Sequence, residues 1–285
     1  MSRSVGVTEA VQGVVPDFAV PGFELITYFG QPAFFLLLFA SYYYVNPGRK
    51  GLFYITVGGL SLTLLTVLKN LFGLPRPPIE MMRISQDGFG FPSGHAFGST
   101  VAWFTLARIS SVWTPRKRFG AAAVATVLVS ASRLVLGVHY FVDILAGIAA
   151  GAGIYYLVVE VYDRNPETTT TTALIAALAG LLIIGLTDRY SLIFGCVAAL
   201  SLYVYLNFNR VPRADMKSFV GVEDIDRSYY EKSLTFVLGG LLLISVAGLS
   251  RAVHSPEVIA VIAFITTYVL LSMPRVAARI YSRVR

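Results

Sequence analysis

Three short strings of this chain carry side chains of the kind that handle phosphate: Lys69-x6-Arg76-Pro77, Pro92-Ser93-Gly94-His95 and Ser132-Arg133-x5-His139-x3-Asp143. Lys69, Arg76 and Arg133 are cations that bind oxyanions, the arginines in bidentate fashion. The Ser93 hydroxyl and the Gly94 amide donate hydrogen bonds, and His95 and His139 can exchange a proton or attack phosphorus. Together the strings make a full set for phosphoryl transfer, which no one of them does alone.

His139 and Asp143 stand four apart, the spacing at which two side chains share one helix face. There the carboxylate holds one ring nitrogen and leaves the other free as a nucleophile, the logic of a catalytic triad. An interfacial histidine beside a helix-capping aspartate has the same spacing. Pro92-Ser93-Gly94 ahead of an apolar run sets Ser93 at a helix N-cap, where free amides and the positive end of the dipole receive an anion. A plain capping serine reads the same way. His95 follows directly and places a proton donor beside any phosphate bound there. Taken singly, Lys69 is a residue that snorkels from a helix end and Arg76 a loop charge. Arg133 lies inside the apolar run from Phe119 to Leu136, where an unpaired guanidinium is costly, so a buried anionic partner, phosphate or carboxylate, is implied.

The elements that must position these residues are membrane helices. At 285 residues, 55% hydrophobic, 14% charged and with a mean hydropathy of +0.68, the chain is neither a soluble globular domain nor a disordered one. A bilayer core of about 30 Å needs roughly 20 apolar residues per helix. Nine stretches qualify, at approximately 25 to 45, 52 to 70, 95 to 109, 119 to 136, 141 to 160, 172 to 187, 190 to 207, 234 to 250 and 257 to 273. The expected fold is all-α: a polytopic transmembrane helical bundle of about nine helices. Asn46-Pro47-Gly48 closes the first, Gly73 to Pro78 breaks the second and Asn165-Pro166 follows the fifth. Asn207 to Ser233 is the longest polar connection, and the threonines from Thr168 to Thr172 mark a helix entry.

Residues 1–24 lack a continuous apolar core and do not make a cleavable signal peptide; Val7, Val11, Val14, Val15 and Phe18 recur at helical spacing and fit a short surface helix. Residues 25–163 then form a five-helix core and residues 164–285 a four-helix extension. Most of the 23 Lys and Arg residues lie on one side if the amino terminus is outside, among them Arg49, Lys50, Arg116, Lys117, Arg118 and the cluster from Arg275 to Arg285. The positive-inside rule therefore orients the amino terminus outward and the carboxy terminus inward, and it carries all three strings to the extracytoplasmic face of the cell membrane. The net charge of +7 sits in short loops rather than on a polar basic face, which excludes a nucleic-acid binder. The single cysteine, Cys196, forms no internal disulfide and lies in an apolar run as a packing residue.

With these residues in place, the chain resembles the type 2 phosphatidic acid phosphatases, integral membrane lipid phosphate phosphatases whose three signature strings it carries without substitution. The resemblance implies that His139 attacks phosphorus to form a phosphohistidine and that Asp143 orients it. It implies that His95 protonates the leaving oxygen and then activates water, while Lys69, Arg76, Ser93, Gly94 and Arg133 hold the phosphate oxygens. No cofactor and no metal is implied. The substrate would be a membrane lipid: phosphatidic acid, phosphatidylglycerophosphate or a polyprenyl phosphate or diphosphate, the outward site slightly favouring the last. Two features depart from many relatives, namely two helices rather than three before the first string and four more after the third. The extra helices carry no second copy of the strings and leave packing, homo-oligomerisation or lipid docking as their roles.

Other readings of the same residues are a phosphotransferase, in which an acceptor alcohol replaces water, and a transporter whose basic cluster only binds headgroups. Vanadium haloperoxidases share similar strings but are soluble, which nine apolar stretches make an ill fit.

Overall fold

The computed structural model describes residues 5–45, 49–162, 164–185, 187–207 and 255–284, all of them helical or in connections between helices. In chain order the helices are α1 (Val5–Val14), α2 (Val20–Tyr28), α3 (Pro32–Val45), α4 (Arg49–Phe72), α5 (Gly94–Ile109), α6 (Pro115–Val135), α7 (Phe141–Tyr156), α8 (Pro166–Ile184), α9 (Asp188–Asn207) and α10 (Pro256–Val284). Among the described residues six helices are long and apolar enough to cross a membrane: Gly51–Phe72, Pro115–Val135, Phe141–Val161, Pro166–Ile184, Tyr190–Asn207 and Pro256–Pro274. The expected eighth stretch, 234 to 250, and most of the polar connection before it lie outside the described residues.

Local chemistry explains where the helices start and stop. Pro115 and Pro166 occupy first-turn positions, where a missing N–H costs nothing, and the Asn165 side chain caps α8 by accepting from the Glu167 amide at 2.9 Å. The threonines from Thr168 thus fall in the first two turns of α8, at the helix entry as expected. Gly73 closes α4 at φ 57°, its amide bonded to the Lys69 carbonyl at 3.0 Å.

The stretch expected from 25 to 45 as one helix is instead two. The amides of Phe29, Gly30 and Gln31 bond back three residues to Ile26, Thr27 and Tyr28, and Pro32 starts the next helix. Continuous apolar character hides such a break, because Gly-Gln-Pro interrupts the backbone ladder without interrupting hydropathy. At Gly30 the chain runs so close to its neighbours that a Cβ would collide with Val129 and come within 3.1 Å of Ser99 Oγ. α5, at 16 residues, is also shorter than a full crossing at about 1.5 Å per residue.

The fold comprises two compact units, one of residues Met1–Leu37 with Leu65–Asp163, the other of Leu38–Leu64 with Arg164–Arg285. In the first, α5 packs along α6 and α7. Gly147 and Gly151, one turn apart on α7, make the α5 seam close: a Cβ there would lie 2.6 Å from the Ser93 carbonyl oxygen and 2.7 Å from that of Phe97. In the second, Tyr43, Leu52, Leu200, Tyr203, Val204 and Leu271 form the core. Tyr43 Oη lies 2.9 Å from Tyr203 Oη and donates to the Leu271 carbonyl at 2.8 Å, satisfying a buried hydroxyl. Cys196 is half-buried in that unit and accepts from Thr267 Oγ1 at 3.3 Å.

Candidate active site

Within the first unit the three strings meet at one end of the helices. Lys69 is in the last turn of α4, Ser93 is the N-cap of α5, Arg133 is in the last turn of α6, and Asp143 is in the first turn of α7. Helices that end there alternate with helices that begin there, so two positive dipole ends and three cations converge. Ser93 and Asp143 are tied directly, the Ser93 amide donating to the Asp143 carbonyl at 2.9 Å. The Ser93 hydroxyl, fully buried, receives the Ala96 amide at 3.5 Å. Gly94 is closely packed: a Cβ would stand 3.1 Å from Leu65 and 3.6 Å from the Lys69 side chain.

The loop between α4 and α5 folds back on itself and brings in Arg76. Gly90 donates to the Leu74 carbonyl at 2.8 Å, and a Cβ at Gly90 would press on the Pro75 carbonyl. Lys69 Nζ donates to the Phe89 carbonyl at 2.6 Å, and Arg76 Nε reaches the carbonyls of Asp87 and Gly88 at 3.2 and 3.1 Å. Both cations are thereby aimed by backbone oxygens of the returning limb.

His139 does not ride on a helix face, as its spacing from Asp143 suggested. It lies two residues before α7, and Asp143 at the third helical position turns its carboxylate back over the helix end. That carboxylate accepts the Tyr140 amide at 3.0 Å and faces His139 Nδ1 at 3.4 Å. Capping and orienting, rival readings of the spacing, are both performed by one oxygen. The other ring nitrogen, Nε2, is 3.1 Å from Arg76 Nη1, which also donates to the Val138 carbonyl at 3.0 Å. A guanidinium has no acceptor, so Nε2 must present its lone pair and the proton must sit on Nδ1, toward Asp143. His139 is 1% exposed, and its pKa is driven well below the ordinary 6.5, first by burial and then by the charges of Arg76, Arg133 and Lys69. Burial likewise lowers Arg76, against the opposing pull of Asp143 and Asp87.

Of the two anionic partners expected for Arg133, a phosphate or a carboxylate, no carboxylate bonds it among the described residues. Its Nη1 donates to Thr27 Oγ1 at 2.6 Å and its Nη2 to Gln86 Oε1 at 2.7 Å, two neutral acceptors, while its Nε has no partner among the described residues. The fork of the guanidinium lets two separate segments satisfy it without a carboxylate, which leaves its charge uncancelled for an incoming anion. His95 is close enough to feel the charges of Arg133, His139, Arg76 and Lys69, and its Nε2 is buried without a hydrogen-bond partner among the described residues. Thr27 and Gln86 escaped the sequence reading, being 106 and 47 residues from Arg133. A hint was available: Thr27 is a polar residue within an apolar stretch.

Comparison with known proteins matches this region. A family model described as the PAP2 superfamily matches residues 50–167, which include all eight candidate site residues. Phosphatidylglycerophosphatase B of Bacillus subtilis (strain 168) is 30% identical over 143 residues, covering 47% of this chain and 70% of that protein. An undecaprenyl-diphosphatase of Sulfolobus acidocaldarius is 30% identical over 89 residues, 31% of this chain and 41% of its own. Among solved structures, a transmembrane PAP2-type phosphatidylglycerolphosphate phosphatase from Bacillus subtilis superposes with a TM-score of 0.50 at 25% identity, over 56% of this chain and 84% of its own.

Proposed function

The chain belongs to the PAP2 superfamily, and on that premise we propose that it is a membrane lipid phosphatase that releases phosphate from a lipid phosphomonoester or diphosphate through a phosphohistidine. The observation that carries the reading is the state of His139: Nδ1 backed by Asp143, Nε2 presenting a lone pair to Arg76, and the charges of Arg133 and Lys69 acting on the ring. Burial and the neighbouring cations hold the His95 pKa down at about 2, so in this reading His95 takes up its proton only with the arriving anionic phosphate. His139 Nε2 then attacks phosphorus, the bond to the lipid oxygen breaks, and His95 gives that oxygen its proton. His95 then takes a proton from water, which displaces His139 and yields inorganic phosphate. Lys69, Arg76, Arg133, the Ser93 hydroxyl and the Gly94 amide stabilise the charge that builds on the equatorial oxygens. Residues 25–163 are the catalytic core in this reading, residues 164–285 an extension, and the site opens to the extracytoplasmic side of the cell membrane.

The relatives' names supply the substrates to try first, phosphatidylglycerophosphate and undecaprenyl diphosphate, with phosphatidic acid beside them. Purified protein in detergent with chelator is expected to release phosphate from at least one of the three, and His139→Ala and His95→Ala to release almost none. Labelled substrate is expected to leave acid-labile phosphate on the intact protein and none on His139→Ala. Silence from intact protein on every lipid sinks the proposal, and reporter fusions placing the 73–91 loop in the cytoplasm sink its topology.

A further inference from the structure

We propose that Gln12, on the amino-terminal helix, is a positioning residue that holds Arg76 and His139 in register by bridging the loop that carries one to the turn that carries the other. The inference rests on the phosphatase reading of that site. Gln12 Nε2 donates to the Met81 carbonyl at 2.9 Å and to the Val135 carbonyl at 3.3 Å. Val135 O belongs to the last turn of α6, where carbonyls have no helical partner of their own. Met81 closes the single 3-10 turn of the α4–α5 loop.

Both ends of this bridge lie next to the chemistry. From Met81 the chain reaches Arg76 through Ile79 and Glu80 of the turn and the pair Pro77-Pro78, a strut with little backbone freedom. From Val135 it reaches His139 through Leu136, Gly137 and Val138. The junction is built to be tight. Gly137 has φ 70°, and a Cβ there would collide with the Met81 carbonyl and lie 2.6 Å from the Gln12 amide nitrogen. The Arg83 amide donates to the Leu136 carbonyl at 3.0 Å, and Arg83 Nη2 returns to the Gln12 carbonyl at 3.2 Å. One turn earlier on α1, buried Thr8 donates from Oγ1 to the His139 carbonyl at 3.5 Å. Val11, between them, packs on the Ala96, Leu134 and Ile144 cluster. The helix thus turns Thr8 and Gln12 inward, while Val7, Glu9 and Val14 stay exposed.

A misplacement of about 1 Å at reacting atoms costs up to about 10²-fold in rate, so the bridge acts on turnover rather than on lipid binding. It also leaves a signature in pH dependence. His139 is faced by Asp143 at Nδ1, by Arg76 at Nε2, and by the charges of Arg133 and Lys69, with His95 nearby. Slackening only the Arg76 contact lets the imidazole take a proton at a higher pH.

The test is kinetic, on full-length protein in detergent with whichever of the three lipids the intact protein turns over fastest. Gln12→Met keeps the shape and removes the donors; kcat is expected to fall about tenfold or more with KM within about twofold, and the acid limb of the profile to move upward. Gln12→Lys returns a donor to the same carbonyls and is expected to restore most of kcat. Unchanged kcat and profile in folded Gln12→Met overturn the proposal, as does activity lost in step with thermal stability while the profile stays put. If Gln12→Met does not fold, Thr8→Val decides through the same profile, with a smaller shift of the same sign expected and no shift overturning it. Failure of the phosphatase reading would appear in the intact protein, failure of this inference only in the variants.

Discussion

Arg76 donates to the nitrogen of His139 that points away from Asp143, at 3.1 Å, so the guanidinium covers the lone pair that would attack phosphorus. In the proposed mechanism an incoming phosphate would offer Arg76 oxygens in exchange and free the nitrogen at the moment a target arrives. The same contact, with burial as the larger cause, disfavours the imidazolium and keeps His139 neutral.

The pH consequence has a definite sign. Because the His139 pKa lies well below 6.5, the acid limb of kcat/KM is expected below 6.5, with full nucleophile present at neutral pH. Arg76→Gln removes one of the lowering charges, so its residual activity, down by about 10²-fold or more, should show the limb displaced upward. A rate profile across pH 4 to 9 for both proteins checks this.

Asp143 has two separable tasks. Asp143→Asn retains an acceptor for the Tyr140 amide but loses the charge opposite His139 Nδ1, and kcat is expected to fall on the order of 10⁴-fold with a small change in melting temperature. Asp143→Ala loses the cap as well and should be less stable than the Asn variant by about 1 kcal/mol. Thermal denaturation in detergent beside the kinetics separates the two.

Arg133 is held by Thr27 and Gln86, so either partner can be removed without touching a charge. Thr27→Val and Gln86→Leu each strand a buried guanidinium donor and are expected to cost about 1–3 kcal/mol of stability. KM should rise in both, and the double variant should lose less than the two singles together, since each acts through the one guanidinium. A double-mutant cycle in melting temperature and KM measures this.

Gly147 sets the seam nearest the site. Gly147→Ala drives a methyl against the Ser93 carbonyl, shifting the start of α5 and with it Ser93 and His95, so turnover should fall about 10-fold or more. Gly151→Ala, one turn further from the chemistry, should lower stability with a smaller kinetic effect. Equal kinetic losses in the two variants would contradict this assignment.

Much of the site was legible because phosphate chemistry restricts residue type: each candidate from Lys69 to Asp143 comes to the same end of the first unit. The helices were legible from apolar runs, with ends misplaced wherever punctuation mattered more than hydropathy, as at Gly30-Gln31-Pro32. His139 leaving the helix was not legible, because a spacing of four fits a helix face and a capping turn alike. Nor were Thr27, Gln86 and Gln12, whose roles depend on approaches between segments distant in sequence. For those, only the polar side chain in an apolar or helical setting gave any sign.

The glycine seam also bears on how such a chain can vary. Because Ser93 and Asp143 are joined by a backbone hydrogen bond and flanked by helices in glycine contact, two of the three strings form one inflexible piece with a fixed register. A residue inserted between Ser93 and Phe97, or between Asp143 and Gly151, would rotate everything beyond it by about 100° and separate catalytic groups from their support. The connection from Ser110 to Thr114, which leaves the far end of α5 and leads into α6, bears no such constraint. Length polymorphism among homologues and tolerated peptide insertions should therefore collect there, leaving the spacing from each string to its glycine invariant.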